Sequence, residues 1–128
     1  MFDWRRPTNL GMKDGRLAPC KPSPNCVSSQ AAPADREHYI APIAFRGSMA
    51  ELRRAVERME RATVITAEGN YLHAEYRTKL LRYVDDVELY YDEKRGLVHV
   101  RSASRLGRRD FGVNRKRIEA LRALMQAR

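Results

Sequence analysis

Residues 71–104 alternate apolar and polar side chains in three successive runs, and period two over such lengths is the mark of strands with one buried face. Leu72, Ala74 and Tyr76, then Val87, Leu89 and Tyr91, then Val98 and Val100 fall on one side. His73, Glu75 and Arg77, then Asp86, Glu88 and Tyr90, then His99 and Arg101 fall on the other. EGN (Glu68 to Asn70) and DEKRG (Asp92 to Gly96) have the composition and length of hairpin connections, so strands are expected at about 62–67, 71–79, 84–92 and 97–104 in an antiparallel meander. A sheet with one apolar face must cover it with another layer.

Two helices supply that layer. Ser48-x-x-Glu51 is a capping box, and Leu52, Ala55, Val56 and Met59 follow it at helical spacing. A second helix is expected over 114–127, with Ile118, Leu121, Leu124 and Met125 as its buried stripe and Asn114 as its N-cap. HYIAPIAF, before the first helix, reads as an edge strand because Pro42 cannot donate to a ladder. Residues 1–38 hold five of the six prolines and show no period. They read as an extended arm packed on the domain through Trp4, Leu10, Leu17 and Val27. The expected fold is thus a two-layer α+β domain over 39–128, in the order strand, helix, four strands, helix. An antiparallel four- to five-stranded sheet carries both helices on one face, and the Pro-rich extended arm precedes it. A chain of 128 residues suits one such core.

Charge bears on partners. The formal net charge is +9, and residues 101–128 carry nine basic against two acidic side chains. Arg115, Lys116 and Arg117 open the second helix, where the helix dipole disfavours cations. A bound anion could offset them. With Arg101, Ser102, Ser104, Arg105 and Asn114 they would then form a ligand site at a helix N-terminus, Arg108 and Arg109 lying in the same stretch. Asp85, Asp86, Glu88 or Asp110 could instead supply the counter-charge from within the fold.

Other candidates sit elsewhere. Cys20 and Cys26, with two prolines between them, could form a disulfide, remain inert thiols, or leave Cys26 as a nucleophile with His38, His73 or His99 as its base. The polar sheet face, with His73, Glu75, Arg77, Glu88, His99 and Arg101, is either a solvated surface laced by pairs such as Glu75 with Arg101, or the floor of a cleft beneath the arm. Two cysteines and three histidines lack the spacing of a zinc site, so no metal and no cofactor is expected. No run is long enough for a membrane span, and no apolar leader precedes the arm. The expected compartment is the cytoplasm, or a periplasm or lumen if a leader was removed.

Three segments carry a family resemblance: RPTNLGMKDGRLAPCKPSPNCVSSQ, YLHAEYRTKLLRYVDDVELYYDE and HVRSASRLGRRDFGVNRKRIEALRA. They resemble the signature segments of the uncharacterised family called domain of unknown function 1499, over about residues 6–125. The resemblance places those signatures on Cys20, Cys26, His73, Glu75, Arg77, Asp85, Asp86, Arg101, Ser102, Arg105, Asp110, Asn114 and Arg117, and it implies no reaction. Similar proteins include membrane-tethered bacterial and thylakoid-lumen plant members. The function expected is a binding module for an anionic small molecule or acidic partner. The rivals are a thiol-dependent enzyme using Cys26 and an Arg-rich nucleic-acid binder, the last without a helix-turn-helix, zinc-finger or RRM motif.

Overall fold

The computed structural model describes residues 5–79, 83–107 and 110–127. Trp4, Arg108 and Arg109, named above as an arm anchor and as part of the basic segment, lie outside the described residues. The chain runs β1 (Cys26–Ser28), β2 (Ile43–Ala44), α1 (Met49–Glu57), β3 (Ala62–Glu68), β4 (Tyr71–Arg77), β5 (Val84–Asp92), β6 (Leu97–Ser104) and α2 (Val113–Gln126). The α+β class, the meander and both helices are as the alternation and the capping box dictate. Ser48 accepts from the Glu51 N–H while the Glu51 side chain accepts from Ser48.

The sheet order is β1-β6-β5-β4-β3, all antiparallel, with β2 also on β6. β5 pairs along one edge of β6 from Asp85↔Ser104 to Asp92↔Leu97. The opposite edge of β6 takes β2 at Val98 and Leu97, and β1 at Ala103, Ser102 and Arg101. The expected edge strand in HYIAPIAF is therefore only two residues long, and a strand from the Pro-rich region occupies the rest of that edge. Three residues are too few for alternation to show, which is why β1 has no periodic signature in the sequence.

α1 and α2 cover the face that carries Leu72, Ala74, Val87, Leu89, Val98 and Val100, and those side chains form one core with Ile43, Leu52, Val56, Ile118, Leu121 and Met125. Val27 and Ile40 join it. Met59 packs against the core from just beyond α1. Burial of a large aliphatic side chain contributes roughly 1.5–3 kcal/mol, so this cluster is the main favourable term in folding. Among the described residues no helix is long and apolar enough to cross a membrane.

Candidate functional site

Alternation along β6 sends Ser102 and Ser104 toward α2, and Arg101 and Arg105 to the opposite side. The residues grouped above as one anion site at the helix N-terminus therefore divide between the two faces of the sheet. Each face carries its own polar network.

On the helix face, Asn114, the second residue of α2, is fully buried. It is not the N-cap: Gly112 holds that place with φ 78°, after Phe111 at φ 53°. Two successive left-handed residues turn the chain so that Asp110 reaches back over the helix start. Its carboxylate accepts from the backbone N–H of Gly112 (2.9 Å) and of Asn114 (3.0 Å), and from Asn114 Nδ2 (2.7 Å). Asn114 Nδ2 also faces Ser104 Oγ at 2.9 Å, and its Oδ1 accepts from Ser102 Oγ and from Arg117 Nη1. Arg117 continues to Asp85 at 2.8 Å and lies 5.0 Å over the Tyr76 ring. Burial pushes the Asp85 carboxyl above its ordinary value despite Arg117 beside it, and raises the Tyr76 hydroxyl likewise. The counter-charge for the basic first turn thus comes from Asp110 and Asp85. Arg115 leaves the cluster altogether, with Nη2 on the carbonyls of Arg36 and Glu37 at 3.3 and 3.4 Å.

The other face is polar yet buried. His73, Asp86, Glu88 and Arg101 are each at most 5% exposed, and the N-terminal segment meets this face at Arg6, Gly11 and Pro19. Arg105 donates to Asp86 twice, at 2.8 Å, and to Glu75 at 2.6 Å. His73 Nε2 meets Asp86 at 2.7 Å, and Arg6 meets Glu75 at 2.7 Å. Burial alone would raise both carboxyls, but Arg105 with His73 holds Asp86 below its ordinary value, and Arg6 with Arg105 does the same for Glu75. The Asp86 bond in turn raises the Arg105 guanidinium. Glu88 accepts from the Gly11 N–H (2.7 Å) and the Tyr71 hydroxyl (2.6 Å), and burial raises that hydroxyl. Glu75 pairs with Arg105 and Arg6; the Arg101 partner in this network is Glu88.

His73, Glu75 and Asp86 bring ligand atoms within 4.8 Å of one another, the spacing of a metal site. Arg105 bonds both of these carboxylates.

Arg101 is the exception in this network. It is 5% exposed, yet its contacts are long: Glu88 Oε1 at 3.5 Å and the Pro19 carbonyl at 3.4 Å. Its Nε has no hydrogen-bond partner among the described residues. It lines a cleft of about 400 Å³ between the arm and the sheet, together with Arg5, Lys21, Asn25, Cys26, Asp86 and Arg105. Sequence reasoning singled out Arg101, Arg105 and Cys26, and passed over Arg5, Lys21 and Asn25, which have no periodic context to mark them. Asn25 ties this wall to the helix face, since its carbonyl accepts from the Ser104 N–H and from Asn114 Nδ2.

Cys20 and Cys26 are joined by a disulfide, and the described residues include no free thiol. His73 is engaged by Asp86, and His99 Nδ1 lies 3.2 Å from Ser29 Oγ, so neither ring is held to a sulfur. His38 bonds Asp35 and the Ser23 carbonyl.

These features define a two-layer α+β domain with ionic networks on both faces of its sheet and a basic cleft under its N-terminal segment. The chain belongs to the family described as protein of unknown function (DUF1499), which matches residues 16–125. No curated protein and no solved structure matches it.

Proposed function

We infer that the protein is a binding module for a small anionic ligand, held in the cleft between the arm and the sheet. One observation carries this reading: Arg101, a buried cation with an unpartnered Nε, lines that cleft. A buried donor without a partner is costly, and an oxyanion is the natural acceptor for a guanidinium. The surroundings support it. Arg5, Lys21 and Arg105 line the same space, and the one carboxylate there, Asp86, is already bonded to Arg105 and His73. A volume of about 400 Å³ suits a small organic anion or a phosphate ester.

The rival readings draw less support. A nucleic-acid face needs exposed cations, whereas Arg101, Arg105 and Arg117 of the basic segment have side chains at most 9% exposed and sit in ion pairs. A thiol enzyme needs a thiolate, and Cys26 is bonded to Cys20.

The test is thermal denaturation in phosphate against chloride at matched ionic strength, in the wild type, Lys21→Glu and Arg101→Gln. Phosphate also strengthens apolar burial generally, so the variants are the decisive comparison. The reading expects a phosphate increment in the wild type that both variants lose. An equal increment in all three sinks it. Native mass spectrometry of the freshly purified protein would then identify the anion.

A further inference from the structure

We propose that the Cys20–Cys26 disulfide is a redox gate on the anion cleft, a proposal that rests on the anion-binding reading above. Cys26 lies in β1, where backbone pairing to Ala103 anchors it beside Arg101 on the edge of β6. Cys20 belongs to a stretch with little else to hold it. The chain is tied down at Leu17, whose N–H donates to Gln30, and again at Ser23, whose carbonyl accepts from His38. Between those points the disulfide is supplemented only by the 3.4 Å contact from Arg101 to the Pro19 carbonyl, among the described bonds.

That stretch reaches the cleft through Lys21. Lys21 and Cys26 both line it, and Pro19 provides one of the two long contacts of Arg101. The covalent bridge therefore sets the distance between Lys21 on the loop side and Arg101 on the sheet. With the bridge open, β1 keeps its ladder while residues 18–22 lose their main tether, and a segment so weakly held samples open conformations. The two cations then no longer converge on one ligand, and affinity falls because the ligand must pay to order the wall.

The chemistry is thiol–disulfide exchange with a dithiol reductant. Cys20 is partly exposed and Cys26 is buried, so the reductant's thiolate attacks Cys20 Sγ. The S–S bond breaks, a mixed disulfide forms at Cys20, and Cys26 leaves as a thiolate. The second thiol of the reductant then releases Cys20, so that two electrons and two protons pass to the protein and the reductant ends as its own disulfide. Cys26 departs into the cleft lined by Lys21, Arg101 and Arg105, whose positive field stabilises a thiolate leaving group.

The experiment is calorimetric titration of inorganic phosphate into the full chain, oxidised and then reduced with dithiothreitol, an uncharged reductant that does not compete for an anion site. The double variant Cys20→Ser with Cys26→Ser serves as a permanently open form. Hydrogen exchange over residues 18–23 is followed in each state. The gate expects phosphate binding in the oxidised protein, at least tenfold weaker binding in the reduced protein and the variant, and faster exchange confined to 18–23. Equal affinity in both redox states overturns the gate and leaves the anion reading standing. No binding in the oxidised protein overturns both. Global unfolding on reduction also overturns the gate, making the bridge a structural staple.

Discussion

The two faces of the sheet solve the same problem in different ways. Each buries carboxylates and arginines, and each leaves polar atoms without a hydrogen bond: Asp85 Oδ1 on the helix side, and Arg101 Nε with Glu88 Oε1 on the arm side. On the helix side the orphan is an anion sealed between sheet and helix beside Arg117, and burial answers it by raising the carboxyl toward its neutral form. An arginine has no such recourse, because it does not give up its proton in a protein. Its charge is met only at long range by Glu88, 3.5 Å away, and Arg101 also lines an open cleft. The contrast separates a network closed by the fold from one that, on the reading proposed above, a ligand completes.

The largest effect that would break this comparison lies in two neighbouring residues that point to opposite faces. Asp86→Asn should cost about 3–5 kcal/mol, because it strips Arg105 and His73 of a buried partner. At roughly 3–6 °C per kcal/mol for a domain of this size, the melting temperature should fall by more than about 10 °C. Asp85→Asn should cost less than half as much, since burial already disfavours that charge. Chemical denaturation of both variants checks the ranking, and equal losses would show the two networks to be equivalent.

Next comes Asn114→Ala, which removes the hub between Asp110, Ser102, Ser104 and Arg117. An expected loss of about 2–3 kcal/mol follows from the partners left unsatisfied. It should leave the phosphate increment intact, because Asn114 lies on the sealed face; a lost increment would join the two faces into one site.

Removing residues 1–12 should have a smaller effect, about 1–3 kcal/mol, through the Arg6–Glu75 pair and the Gly11 bond to Glu88. Thermal melts with and without the segment measure it, and an unchanged melting temperature would mean that this part of the arm contributes nothing to the buried charge.

The pH dependence is the finest test. Asp86 and Glu75 are held below their ordinary values of 3.8 and 4.5, so the stability they contribute is present above those values and lost as pH falls beneath them. Asp85 has the opposite sign: the fold binds its proton more tightly than the unfolded chain does, which offsets part of the acid loss. Asp86→Asn should therefore flatten the acid limb of a stability–pH profile, and Asp85→Asn should steepen it. His38 gives the smallest effect. Burial would lower it, yet the Ser23 carbonyl and Asp35 raise it above 6.5, so its contribution is complete below that value and is lost as pH rises through the folded value. His38→Gln should remove a shallow decline in stability that begins as pH rises past 6.5.

Much of this was open to reading from residues alone. Alternation through residues 71–104 and the Ser48–Glu51 box are local patterns, and the sheet faces and α1 follow from them. Even the division of the junction is legible, since Arg101 in the strand and Arg105 just past its end stand at odd positions while Ser102 and Ser104 stand at even ones. Grouping them by proximity along the chain hid it. Asn114 reads as an N-cap because an Asn before a helical run commonly is one; the left-handed pair at Phe111 and Gly112 gives the N-cap position to Gly112 and brings the Asp110 carboxylate onto the first N–H groups.

What the sequence determined by itself is the four-stranded meander, the two helices and the charge each one carries, because periodicity and capping act over a few residues. What the tertiary structure alone decided is which charges are buried and what meets them. Arg6 pairs with Glu75, Gly11 with Glu88, and Arg101 with the Pro19 carbonyl, across 69, 77 and 82 residues of chain. An aperiodic Pro-rich segment carries no local signal of the surface it will cover, so contacts of that span arise only when the sheet exists and the arm folds over it.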